Sequence, residues 1–259
     1  MKMFVMCMWR QAELGHPSFE PFLADYFDEG VAYIECSRGH KSAILLQSLK
    51  FEVLLESGAN ALLEGFTFEA CAAFSAALER FYEFSLHVMC IAHGMSEELF
   101  QKMFNEMARQ SERQLGAFMM LYAVEFDEAH KLDKQIVEFR NGVIHKGVIP
   151  DLDEAKKFCS AVYEIIAGLY EKLSGKYSEH IRKLVGLTAV GAARSHPAAC
   201  GRGHLSLKNQ QELGHSTAMA PLVPVNAIAC GQALRGFEVH TTEIRDGKQG
   251  DLGYAVRNS

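Results

Sequence analysis

The stretch TFEACAAFSAALERFYEFSLHVMCIAH, Thr67 to His93, contains neither proline nor glycine and spaces Phe74, Ala77, Leu78, Phe81, Phe84 and Val88 three or four residues apart. A helix turns about 100° per residue, so this spacing gathers the six side chains into one apolar stripe, whereas a strand would require alternation. The same texture extends from about Gln47 to Leu184, where Pro150 is the only proline and breaks fall at Gly65, Gly94, Asp127 to His130 and Gly147 to Pro150. Five helices are predicted. The first runs from Gln47 to Glu64, the second is the quoted stretch, and the third spans Ser96 to Val124. The fourth carries the stripe Leu132, Ile136, Phe139 and Val143. The fifth opens with DLDE, where Asp151 can cap the helix and Glu154 can reach back to its first amide. Long helices joined by short breaks predict an all-α, up-and-down bundle over residues 46–185.

The flanks read differently. Residues 1–45 mix aromatics, Gly and Pro, and VAYIECSRGHKSAIL predicts two short strands around a turn at Arg38-Gly39, a small β-hairpin. In residues 186–259, ten of the 21 glycines and three of the six prolines occur, with seven basic and five acidic residues, so the composition predicts a small irregular appendage or a disordered segment.

A formal charge of -6 and a pI near 6.0 argue against sequence-blind coating of nucleic acid, which favours a basic surface. Any such contact must be local. The longest uninterrupted apolar run, Ala117 to Val124, is far too short for a membrane helix, and Arg10 interrupts the apolar start without a cleavage pattern after it. Seven scattered cysteines suit a reducing compartment better than a disulfide framework, so a cytoplasmic protein with no membrane partner is expected.

Within the fourth helix, FRNGVIHKG (Phe139 to Gly147) sets an arginine, an asparagine and a histidine in an apolar pattern. Asn141 and His145, four apart, project from nearly one face, away from the apolar stripe, and Arg140 must bend towards them. Gly142, costly in a helix interior, removes a side chain beside them and permits close approach by another surface. The trio suits phosphodiester chemistry. A guanidinium binds phosphate and steadies developing charge. An imidazole titrating near neutrality can take a proton from a ribose 2′-hydroxyl or deliver one to the leaving oxygen, and an asparagine can orient either group. Neither a metal nor a cofactor is required. Lys146 can hold a neighbouring phosphate or simply offset the dipole at the helix end, just as a terminal arginine or histidine can merely cap carbonyls. On the second helix, Glu79, Arg80 and Glu83 read as a solvated charged face or as a support that orients Arg140 or His145.

FRNGVIHKG resembles the R-x4–6-H signature of the HEPN superfamily, with Asn141 as the polar residue that often follows the arginine. The similarity extends through LESGANALLEGFTFEACAAFSAALERFYEF and GVIPDLDEAKKF, covering about Phe51 to Leu184. The resemblance implies a helical bundle that homodimerises, bringing two motifs together. In many members it acts as a metal-independent endoribonuclease of prokaryotic toxin-antitoxin or phage defence systems, leaving a 2′,3′-cyclic phosphate. It implies Arg140, Asn141 and His145 as site residues, RNA as substrate, and an antitoxin or a nucleotidyltransferase as partner. Other members are non-catalytic dimerisation or nucleotide-binding modules serving a partner enzyme.

A pentapeptide recurs as CSRGH (Cys36 to His40) and CGRGH (Cys200 to His204). Each offers a thiolate and an imidazole across a Gly turn. Together Cys36, His40, Cys200 and His204 would complete a zinc site; otherwise they are two surface turns.

Overall fold

The computed structural model describes residues 2–5, 7, 10, 13–15, 22–25, 31–45, 48–107 and 110–195. Strand β1 (Lys2–Val5) pairs antiparallel with β2 (Phe22–Asp25), and β3 (Val31–Glu35) with β4 (Lys41–Leu45), as two separate two-stranded sheets. The second register sets Val31 against Leu45 and Glu35 against Lys41. Between β3 and β4, Gly39 adopts a positive φ of 78° that favours glycine, and its N–H donates to the Cys36 carbonyl at 2.8 Å. β1 lies against the first helix and β4 against the last.

The rest is helical: α1 (Lys50–Leu63), α2 (Thr67–Ala92), α3 (Glu97–Met107), α4 (Ser111–Phe126), α5 (Lys134–Lys146) and α6 (Leu152–Ser195). α2 is the hub. It packs against each of the other five helices, and Ala70, Cys71, Phe74, Ala77, Leu78, Phe81 and Val88 along it are buried. Its two buried serines return to their own backbone: Ser75 donates to the Cys71 carbonyl at 2.7 Å and Ser85 to that of Phe81 at 2.8 Å. Such bonds spare buried polar groups a desolvation cost of about 1–3 kcal/mol each. α1 approaches α2 closely because Gly58 has no side chain, so that a Cβ there would lie 2.5 Å from Phe74 Cδ2. Nearby, Phe51 meets Phe81 edge-on at 5.2 Å.

Two expectations need correction. The third helix predicted from Ser96 to Val124 is two helices. Gln110 stands in extended backbone (φ −141°, ψ 115°) at the start of α4, its N–H donating to the Met107 carbonyl at 3.1 Å. The charged face of α2, which His87 extends by one turn beyond Glu83, is not simply solvated: Arg80, Glu83 and His87 are 27%, 33% and 14% exposed. α3 covers part of that face, stacking Phe100 on the His87 ring at 4.1 Å while Glu97 meets His87 Nε2 at 2.7 Å.

The helix ends follow their local chemistry. Asp133 Oδ1 accepts from Gln135 N at 2.7 Å to open α5. α5 closes on Gly147 (φ 68°), with Gly147 N donating to the Val143 carbonyl and Val148 N to that of Gly142, a Schellman-type end. At α6, Glu154 N donates to Asp151 Oδ1 at 2.8 Å and Asp151 N to Glu154 Oε2 at 3.1 Å, the reciprocal cap read from DLDE. α6 then runs through Gly186, where composition changes, as far as Ser195. Isolated glycines cost a helix only about 1 kcal/mol each and need not end it. Cys200 and His204 lie outside the described residues. No helix among the described residues is long and apolar enough to cross a membrane.

Candidate functional site

α5 is seated by its apolar side. Val143 is buried, Leu132, Ile136, Phe139 and Ile144 pack against the core, and the Phe139 ring lies 4.9 Å from that of Phe158 on α6. This seat fixes where the polar residues emerge. Arg140 Nη2 forms an ion pair with Glu79 Oε1 on α2, and both side chains are largely covered, at 20% and 29% exposure. Arg80 and Glu83 instead pair with each other at 2.6 Å along α2. Glu79 is therefore the carboxylate that reaches the motif arginine.

Asn141 is half-buried, while His145 and Lys146 are exposed in the last turn. Among the described residues, neither the Asn141 nor the His145 side chain has a hydrogen-bond partner. Arg140 and His145 are five residues apart, a turn of about 140° and a rise of about 7.5 Å along the helix, so α5 alone does not aim both at one atom. Just beyond, Phe66, Thr67, Glu69, Gly147 and Ile149 line an open depression, and Thr67 Oγ1 donates to the Pro150 carbonyl at 2.8 Å to hold its two sides together. Its rim is apolar: Phe66 is 58% and Ile149 77% exposed.

Two further polar assemblies go beyond what was read from the sequence. Glu125, at the end of α4 and only 4% exposed, receives His93, Lys176 and Tyr177. Burial pushes its carboxyl up, but the bonds from Lys176, Tyr177 and His93 outweigh this and hold it at about 2. Tyr177 is also where α6 departs from helical geometry (φ −124°, ψ 26°). Beside this network, Lys172 pairs with Glu128 and donates to Tyr122 Oη at 3.1 Å, and His130 Nε2 lies 3.0 Å from Tyr82 Oη. Burial holds the His130 imidazole below its ordinary range. The second assembly is the cluster Cys7, Cys36 and His40, whose ligand atoms all lie within 4.8 Å of one another. The Cys-His turn suggested the latter two, but Cys7 is 29 positions from Cys36 and only folding shows them together.

The chain matches no protein-family model, no curated protein and no solved structure.

Proposed function

We propose that this chain is a HEPN-type endoribonuclease working as a homodimer whose two α5 helices form one composite groove. The observation that carries the reading is the arrangement of the R-N-x3-H motif: Glu79 steadies Arg140 against α2, while His145 stands exposed at the end of the same helix. Arginine has five N–H donors, so a single carboxylate contact leaves others for a phosphate. The offset between Arg140 and His145 supports a site shared by two copies, in which the arginine of one chain and the histidine of the other converge.

In the proposed reaction, His145 of one copy takes the proton of a ribose 2′-hydroxyl as that oxygen bonds to phosphorus. The bond from phosphorus to the 5′-oxygen breaks, and His145 of the second copy, protonated, supplies the proton to that oxygen. Arg140 stabilises the charge on the non-bridging oxygens, and Asn141 and Lys146 hold the substrate. The products are a 2′,3′-cyclic phosphate and a 5′-hydroxyl. DNA, which lacks the attacking oxygen, is spared. Accessible single-stranded or loop RNA is the substrate class. A prokaryotic toxin or defence role, a cytoplasmic location and an antitoxin partner follow from the same family reading, as does the HEPN-like bundle.

One observation favours a second reading. Arg140 is already neutralised by Glu79, as befits a structural ion pair in a non-catalytic dimerisation or nucleotide-binding module that supports a partner such as a nucleotidyltransferase. The deciding experiment incubates purified protein with mixed RNA in EDTA and analyses product ends. The expected outcome is cleavage to cyclic phosphates, reduced about a hundred- to ten-thousand-fold in His145→Ala, comparably in Arg140→Ala and less in Asn141→Ala. A folded His145→Ala protein that cleaves at the wild-type rate would give the site to the second reading.

A further inference from the structure

We propose that Cys7, Cys36 and His40 bind a structural zinc ion that ties the segment after β1 to the turn between β3 and β4. This site is independent of the motif on α5. The donors converge: Cys7 Sγ lies 3.8 Å from His40 Nδ1, and all three ligand atoms fall within 4.8 Å of one another. A tetrahedral zinc with a Zn–S bond of about 2.3 Å and a Zn–N bond of about 2.0–2.1 Å sets sulfur and nitrogen about 3.6 Å apart, so the observed spacing is close to that of a loaded site. Both cysteines are free thiols and buried, at 2% and 7% exposure, which shields a thiolate centre from solvent and oxidants.

The surroundings prepare each ligand. The tight turn, in which Gly39 N donates to the Cys36 carbonyl at 2.8 Å and Cys36 N to that of His40 at 3.1 Å, sets the Cys36 and His40 side chains close together. His40 is oriented from behind: its Nε2 lies 3.1 Å from Glu13 Oε1, and Arg38 holds the other oxygen of Glu13 at 3.3 Å. With its proton on Nε2 and donated to this carboxylate, the imidazole presents the lone pair of Nδ1 to the cysteines. A carboxylate behind a histidine is the usual outer support of a zinc ligand. Two thiolates neutralise the dication, and the Glu13 carboxylate offsets the positive charge of Arg38, with which it pairs. Soft sulfur with imidazole selects zinc over magnesium or calcium. Among the described residues no fourth Cys, His, Asp or Glu atom joins the cluster, so a water or a ligand from elsewhere in the chain completes the tetrahedron. Binding releases the thiol protons to solvent, with no change in oxidation state.

The test is elemental analysis of the full chain, purified under reducing conditions without chelator, together with cobalt(II) titration of the stripped protein. The expected result is about one zinc per chain and a cobalt spectrum with charge-transfer bands for two thiolates. Cys7→Ser and Cys36→Ser should each lose tight binding, whereas Cys90→Ser keeps it. Glu13→Gln should weaken zinc affinity about ten- to a hundred-fold. Absence of zinc and of a thiolate–cobalt spectrum in the wild-type chain overturns the proposal, and because that readout needs no variant it stands even if a substitution prevents folding. Full zinc occupancy in Cys7→Ser also overturns it, and would return the site to the pairing of Cys36 and His40 with Cys200 and His204.

Discussion

Glu52 and Glu125 are both withdrawn from water, yet burial prevails at the first and hydrogen bonding at the second, so their protons are driven in opposite directions. Burial pushes Glu52 up to about 7 despite the bond it accepts from Leu49 N at 2.8 Å, while three donors bring Glu125 down to about 2, against an ordinary value of 4.5. A depressed carboxyl adds stability that is complete above 4.5 and is lost as pH falls towards 2. A raised one adds stability that is complete below 4.5 and is lost as pH rises through about 7. The joint contribution of these two carboxyls should therefore climb from acid towards pH 4.5 and decline towards neutrality, by an amount on the order of 2 kcal/mol on each side. Urea denaturation across this range tests the pair: Glu52→Gln should lessen any decline and Glu125→Gln should lessen the climb. A decline of wild-type size in Glu52→Gln would show that some other group causes it.

At the scale of elements, two helical glycines should respond oppositely to alanine. In Gly58→Ala the new methyl meets the Phe74 ring at 2.5 and 2.8 Å and Ala73 Cβ at 3.2 Å, so α1 must shift from α2, at a cost of about 1–3 kcal/mol. In Gly142→Ala the nearest atom is Val148 Cγ2 at 3.8 Å, an ordinary contact, and the helix gains about 0.5–1 kcal/mol. Equal effects in denaturant melts would contradict the difference in packing. The contrast also shows what was legible beforehand. Apolar spacing exposes the burying stripe of α2, and Gly147 and Asp151 mark where α5 stops and α6 begins, because these are local properties. The break at Gln110 is not marked, since neither glycine nor proline stands there and extended backbone is open to any residue. Likewise α2 offers Glu79 and Glu83 only four residues apart, and which one meets Arg140 depends on how two helices pack. Cys7 is still less visible, because its nearness to Cys36 depends on the path of the chain between β1 and β3.

For the whole molecule, the proposed site requires a second copy. The apolar rim formed by Phe66 and Ile149, beside the end of α5, is the surface such a copy would cover. Sedimentation should show a dimer at micromolar concentration. Ile149→Glu should shift it to monomer and abolish cleavage together, with helical content by circular dichroism unchanged. A wild-type monomer with full activity would exclude the composite groove. Because a Cβ at Gly142 would meet only Val148 among the described residues, Gly142→Ala should leave the monomer intact and weaken association if the partner packs there.

The closed end of α5 bears on the speed of any encounter at His145. The carbonyls of Gly142 and Val143 already accept from Val148 and Gly147, so the backbone on either side of the histidine is pinned within the molecule. Only the imidazole's own side-chain rotations remain to be arrested when a ligand arrives. The backbone ordering is completed during folding, before any collision. Encounters at this site then have less conformational searching to do than they would at a frayed terminus, and a larger fraction of them can lead directly to a productive pose.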